Sequence, residues 1–134
     1  MNLKDIIVKH EGLELQPYED SLGILTVGVG HNLERGISYE TAMFILDEDL
    51  KEVKQQAQSF SWFHYLNEVR QIVIQDMIFN LGITRFKRFK KMIKAIQNDD
   101  FLEAANQMLD SKWAEQVGRR AVDLSTMMET GEHV

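Results

Sequence analysis

Three side chains near the N-terminus have the types and spacing needed to hydrolyse a glycosidic bond. Glu11 and Asp20 lie nine residues apart, and Thr26 follows them in the stretch GILTVGVGH. Such hydrolysis needs one acid to protonate the leaving oxygen and a second carboxylate to direct water or attack the sugar. On two elements joined by a tight loop, the carboxylates could face each other, with the Thr26 hydroxyl on the same water. Acids near a hairpin are usually solvated, so the spacing alone leaves ordinary surface charge as an alternative.

The glycines and histidines nearby favour no cofactor or metal site. GVGHNLERG lacks the third glycine of a dinucleotide-binding motif and the Gly-Lys-Ser/Thr of a phosphate loop. Gly28 and Gly30 fit better with a close approach of the strand to another backbone or a bulky ligand. HEGLE is not the H-E-x-x-H zinc motif, and the chain has no cysteine for a thiol nucleophile. We therefore expect no cofactor and no metal.

Length and composition are those of one ordinary globular domain. The 134 residues are 44% hydrophobic and 27% charged, with no apolar run of membrane-spanning length. Charged residues in MNLKDIIVKHEG leave no apolar stretch for an export signal, so we expect synthesis in the cytoplasm and no stable membrane insertion. The net charge of −6 argues against a dedicated nucleic-acid binder.

One segment departs from this acidic balance. Residues 85–94, RFKRFKKMIK, contain six cations and no acid. A solvated helical face and a contact with a polyanion both explain such a run, and the sequence leaves both open.

Capping residues and hydrophobic spacing predict the elements that carry the candidate residues. Residues 3–10 have the apolar spacing of a helix that Asn2 can cap, which places Glu11 at its C-terminal end. The turn residues DSLG and the β-branched residues after them predict a small antiparallel sheet over residues 14–34. Ser38 can then cap a helix of about 20 residues.

The remainder of the chain is helical in pattern. Asn67 can cap an apolar helix over residues 68–81 that Gly82 ends. The aromatic residues Trp62 and Trp113 are expected in the core. Shorter helices are predicted near residues 86–97, 101–110 and 120–128. The fold class is therefore α+β: mostly helix, with one small sheet near the N-terminus.

A longer pattern connects the N-terminal residues to a known family. Between Glu11 and His31 the chain reads Glu-Gly, then Tyr-x-Asp, then Gly-x-x-Thr-x-Gly-x-Gly-His. This order closely resembles the phage-type lysozymes of the T-even coliphages, and the resemblance resumes in LNEVRQIVIQDMIFNLG and EAANQMLDSKWAEQVGRRA. It covers nearly the whole chain. The main departure lies between Asn32 and Ser38, where the family's hairpin is longer.

The resemblance implies a mostly helical, two-lobed lysozyme-like fold within a single domain, residues 1–134. The N-terminal lobe would cover about residues 12–58 and include the small sheet. The helical lobe would cover about residues 59–134 together with the helix 2–11. The long helix after Ser38 would connect the lobes.

The resemblance also implies an activity and a set of site residues. A muramidase of this family hydrolyses the β-1,4 bond between N-acetylmuramic acid and N-acetylglucosamine in peptidoglycan. On this mapping Glu11 is the general acid, Asp20 directs the attacking water, and Thr26 helps to hold that water. The positions that match substrate-binding residues are Phe79, Asn80, Gln107, Gln116 and Arg120.

Two ion pairs are expected from the same mapping. Arg120 is placed to pair with Glu11. A structural pair between His31 and Asp49 is expected to tie the hairpin to the helix after Ser38.

Other classes of protein stay open beside a hydrolase. A non-hydrolytic wall-binding or structural module could keep the fold, although it would not need Glu11, Asp20 and Thr26 together. A lytic transglycosylase attacks the same polymer but typically relies on one Glu, so Asp20 favours hydrolysis. We expect peptidoglycan of the bacterial cell wall as the partner, no nucleic acid, a monomer, and holin-type release from the host cytoplasm.

Overall fold

Eight α-helices and one three-stranded sheet make up the chain in the computed structural model, which describes residues 1–134. The predicted α+β class is confirmed. The chain divides into an N-terminal unit, Met1–Ile45, and a C-terminal unit, Leu46–Val134. None of the helices combines the length and apolar character needed to cross a membrane.

The N-terminal unit combines one helix with the sheet. α1 (Leu3–Glu11) begins as predicted at Asn2, whose side chain accepts a hydrogen bond from the Asp5 N–H at 2.9 Å. The antiparallel sheet has its strands in chain order: β1 (Glu14–Glu19), β2 (Leu25–Gly28) and β3 (His31–Asn32). Its predicted extent is too long at the end, because residues Leu33–Arg35 form a 3₁₀ turn that the Asn32 side chain caps.

One long helix, α2 (Tyr39–Gln58), contains the boundary between the units. Ser38 caps it as predicted, because the Ser38 Oγ accepts a hydrogen bond from the Thr41 N–H at 3.1 Å. Its buried residues, Val53 and Ala57, both lie in its C-terminal half. The part of α2 that belongs to the N-terminal unit therefore buries none of its residues.

The C-terminal unit is a group of helices around an apolar core. Its helices are α3 (Glu68–Leu81), α4 (Ile83–Phe86), α5 (Lys90–Gln97), α6 (Phe101–Leu109), α7 (Lys112–Val117) and α8 (Arg119–Thr130). α3 contacts α4 and α8, while α6 packs against α5 and α8. Phe86, Ile74, Met77 and Met108 are fully buried, and Trp62 and Trp113 are buried as predicted.

Two of the shorter helices differ from the prediction. The predicted helix over 86–97 is interrupted between α4 and α5, where the N–H groups of Arg88 and Phe89 donate to carbonyls three residues back. The sequence does not predict α7, which Ser111 caps by accepting a hydrogen bond from the Ala114 N–H at 3.1 Å. α4 and α7 are only one or two turns long, so their apolar pattern is too brief to predict a helix.

Arg70 ties the beginning of α3 to the end of α8. Its Nε donates to the Met128 carbonyl at 2.7 Å, and its Nη2 donates to the Glu129 carbonyl at 2.9 Å. Its guanidinium also lies 3.7 Å from the centre of the Phe101 ring. Burial lowers the pKa of Arg70 below its usual value, and the Asp99 carboxylate opposes that shift. A cation at the end of α8 also complements the helix dipole.

Candidate active site

Glu11 is the last residue of α1, and its carboxylate lies against the turn between β2 and β3. The helix ends here at Gly12, which has a φ of 79° and donates its N–H to the Val8 carbonyl at 2.8 Å. A methyl group at Gly30 would come within 2.8 Å of Glu11 Oε2. Because carbon atoms do not approach a carboxylate oxygen so closely, Gly30 leaves the space that Glu11 occupies.

Asp20 is oriented by the tight turn between β1 and β2. Its Oδ1 accepts hydrogen bonds from the Leu22 N–H at 2.8 Å and the Ile24 N–H at 2.9 Å. Both bonds end on Oδ1, so Oδ2 makes no hydrogen bond to the protein and can accept one from water. The carboxylate is thus held in one orientation with one oxygen available.

Thr26 shares a hydrogen-bond acceptor with Asp20. The Thr26 hydroxyl donates to the Ile24 carbonyl at 2.8 Å, and the same oxygen accepts the Asp20 N–H at 2.9 Å. Thr26 is 3% exposed and lies on β2 opposite Tyr18 and Asn32. Because its proton points to Ile24, the Thr26 oxygen can only accept a hydrogen bond from a further partner. The backbone of Ile24 therefore brings Asp20 and Thr26 together.

The two carboxylates belong to opposite ends of β2. Asp20 lies in the turn before this strand, and Glu11 contacts the turn after it. A strand of four residues spans about 10 Å between its first and last Cα atoms. Glu11 and Asp20 are therefore separated along β2, the strand that carries Thr26.

The predicted substrate-binding residues all lie in the C-terminal unit. Phe79 and Asn80 are at the end of α3, Gln107 is on α6, Gln116 is on α7 and Arg120 is on α8. Phe79 is 43% exposed, so its ring is not part of the apolar core. Asn80 Oδ1 accepts the Trp113 indole N–H at 2.7 Å, which connects α3 to α7. Gln107 Nε2 donates to Glu103 Oε1 at 2.7 Å, and Gln116 is exposed.

Arg120 has an ion-pair partner that the sequence did not predict. Its Nε and Nη2 lie 2.8 Å and 2.7 Å from Asp76 Oδ1 on α3. A signal was present, since Asp76 and Asn80 are polar residues four apart in a largely apolar helix and so share one face. His31 Nε2 lies 3.0 Å from the Gly36 carbonyl oxygen. The expected Arg120–Glu11 and His31–Asp49 pairs stay predictions.

The chain is similar to known proteins over most of its length. The family model for phage lysozyme matches residues 8–127, a range that includes every predicted site residue. The chain belongs to the phage lysozyme family. This membership supports muramidase-type hydrolysis of peptidoglycan.

Individual relatives of the chain include both cellular and phage proteins. Probable T4-type lysozyme 1 of Dictyostelium discoideum is 25% identical, over 97% of this chain and 95% of that protein. The SAR-endolysin of Escherichia phage Mu is 30% identical, over 89% of this chain and 74% of that protein. The pre-baseplate central spike protein Gp5 of Enterobacteria phage T4 is 24% identical, over 98% of this chain and 28% of that longer protein.

Proposed function

We propose that this member of the phage lysozyme family hydrolyses the β-1,4 bond between N-acetylmuramic acid and N-acetylglucosamine and thereby lyses bacterial cells. The observation that carries the proposal is the shared Ile24 carbonyl. It accepts hydrogen bonds from the Asp20 backbone N–H in the turn before β2 and from the Thr26 hydroxyl on β2, and the turn after this strand contacts Glu11. On this proposal the enzyme is a monomer that reaches the cell wall after holin-type release from the host cytoplasm and has no nucleic-acid partner.

Each of the three side chains has one role in this reaction. Glu11, when protonated, donates its proton to the glycosidic oxygen as the bond to the leaving sugar breaks. Asp20 Oδ2 accepts one proton of a water molecule as that water attacks the anomeric carbon. Thr26 accepts a hydrogen bond from the other O–H of the same water, because its own proton is donated to Ile24. With both O–H bonds directed at acceptors, a lone pair of the water faces the sugar.

The positions of the carboxylates favour inversion at the anomeric carbon. A retaining enzyme needs its carboxyl groups about 5 to 5.5 Å apart, whereas an inverting enzyme leaves about 6.5 to 9.5 Å for the water. The turn that contains Asp20 and the turn that Glu11 contacts lie at opposite ends of β2, whose Cα atoms span about 10 Å, and on this basis we propose the larger separation. The anomer that forms first, measured by NMR during hydrolysis of a chito-oligosaccharide, should be the α anomer from the β bond.

We propose that the predicted substrate-binding residues of the C-terminal unit bind the polysaccharide. The exposed ring of Phe79 can stack on a sugar face. The Asn80 amide nitrogen can donate to a sugar group, because its oxygen is already bonded to Trp113. The side chains of Gln107, Gln116 and Arg120 add polar contacts.

The test is to identify the new ends that the purified chain creates in peptidoglycan. Mass spectrometry should find reducing N-acetylmuramic acid ends. Anhydro-sugar ends would indicate a lytic transglycosylase instead, and binding without new ends would indicate a non-hydrolytic wall-binding module.

Two substitutions test the assigned roles. Glu11→Gln removes the proton donor, and Asp20→Asn removes the base, so each should lower the hydrolysis rate by about 10²-fold or more. The matched controls are Glu14→Gln and Glu19→Gln, exposed acids on β1 that should leave the rate unchanged. An assigned variant that hydrolyses walls at near the parent rate would remove that residue from the mechanism.

A further inference from the structure

The basic segment, residues 85–94, lines a cavity in the C-terminal unit. This cavity has a volume of about 460 Å³. Leu81, Met92 and Trp113 form an apolar part of its wall, and Gln107 and Ser111 contribute polar groups. Its cationic lining residues are Arg85, Arg88, Lys90, Lys91 and Lys112.

These cations have no ion-pair partners within the chain. The ion pairs of the structure are Lys51–Glu48, Arg119–Asp123 and Arg120–Asp76, none of which involves the basic segment. Asp110 is the only acid on the cavity wall.

The placement of the cations is also unfavourable for stability. Lys90 and Lys91 stand in the first turn of α5, where the helix dipole disfavours positive charge. Like charges concentrated without compensation destabilise the folded chain, and sequences break this rule mainly where a ligand is bound. The cavity therefore has the character of a binding site for an anion.

We propose that this cavity binds a phosphodiester polymer of the bacterial envelope, such as a polyol-phosphate chain attached to the wall. Guanidinium groups of Arg85 and Arg88 can bind phosphate oxygens through two hydrogen bonds, and lysines supply further point charges. Each exposed ion pair contributes little by itself, so a ligand with regularly repeated charges gains most from cations spread around the cavity. The rest of the chain is acidic overall, so this surface is where a polyanion is attracted.

Other anionic partners fit the cavity less well. Single-stranded nucleic acid is bound with exposed aromatic rings on which bases stack, but Trp113 is 4% exposed and its neighbour Phe89 packs edge-on against it. A membrane surface needs apolar side chains at the rim, whereas Met92 and Trp113 are buried. The choice of an envelope polymer follows from family membership and does not depend on the proposed catalytic residues.

The test measures binding of the full chain to soluble poly(glycerol phosphate), which contains no glycosidic bond for a lysozyme to cleave. The first variant, called the groove variant because its changes line the cavity, replaces Arg88, Lys91 and Lys112 by Gln. Its matched control replaces Arg35, Lys4 and Lys54 by Gln; these are exposed cations outside the cavity, and the change in net charge is the same. Circular dichroism and the thermal midpoint establish that both variants are folded.

We expect the groove variant to bind about tenfold more weakly than the parent at about 50 mM salt, with the difference fading near 0.5 M as charges are screened. The control should stay within about twofold of the parent. Tighter binding of the parent to a single-stranded oligonucleotide, to vesicles rich in phosphatidylglycerol or to polyglutamate of equal charge would overturn the choice of ligand. An equal loss in the control, or no binding by the parent, would overturn the site itself.

Discussion

The N-terminal and C-terminal units of this chain are held in their conformations by different interactions. In the N-terminal unit, Thr26 is the only buried residue, and turn hydrogen bonds, helix caps and glycines set the positions of its side chains. In the C-terminal unit, buried apolar side chains from Val53 to Met128 form a continuous core. The candidate chemistry thus resides where there is little core, and the burial that stabilises the fold resides elsewhere.

This difference predicts that catalytic geometry and stability can be changed separately. Local hydrogen bonds orient a side chain without contributing much free energy of unfolding. Burial of apolar surface contributes most of that free energy but is insensitive to the direction of one carboxylate. Substitutions at the turns of the N-terminal unit should therefore affect mainly the rate, and substitutions in the apolar core of the C-terminal unit should affect mainly the stability.

The largest expected effect is on stability, in the C-terminal core. Phe86→Ala removes a fully buried ring and should lower the free energy of unfolding by about 3 to 5 kcal/mol. The control is Phe44→Ala, which changes a ring that is 64% exposed and should cost less than about 0.5 kcal/mol. Urea unfolding measures both. If Phe86→Ala instead lowered the rate per folded molecule, the proposed division between the units would fail.

The next effect is on rate, in the N-terminal unit. Gly30→Ala should push the Glu11 carboxylate out of position and lower kcat by about 10²-fold, since a shift of about 1 Å has that order of effect. Gly28→Ala is a close control, because Gly28 and Gly30 have φ angles of 71° and 68° but nothing lies within 4 Å of a methyl group at Gly28.

Both glycine variants should lose about 1 kcal/mol of stability from the same backbone strain. Only Gly30→Ala should also lower kcat. Equal rates for the two folded variants would show that the contact with Glu11 has no role in hydrolysis.

A smaller effect is expected at the junction of α3 and α8. Arg70→Gln removes two hydrogen bonds from a charged donor to the Met128 and Glu129 carbonyls and should cost about 2 kcal/mol. Arg119→Gln is the control, because its pair with Asp123 is largely exposed and should contribute less than about 1 kcal/mol. Hydrolysis of walls should be unchanged in both. Similar stabilities for the two variants would mean that the Arg70 contacts contribute no more than surface charge.

The sequence by itself determined the helix boundaries at Asn2, Ser38, Asn67 and Gly82, as well as the α+β class. Each cap is a bond between groups within four residues of each other, so the local pattern is enough to predict it. The short helices α4 and α7 were not predicted, because one or two turns contain too few apolar residues to show the helical spacing. The motif from Glu11 to His31 was enough to identify the family and its candidate acids.

Only the tertiary structure decided which atoms those residues meet. Asp76 and Arg120 lie 44 residues apart in the chain, and Asn80 and Trp113 lie 33 apart. The space for Glu11 at Gly30 likewise joins two separate elements, the end of α1 and the turn between β2 and β3. Partners so distant depend on how whole elements pack, and many packings are compatible with one local hydrophobic pattern. A residue type and its spacing can therefore indicate a role, but the path of the chain selects the partner.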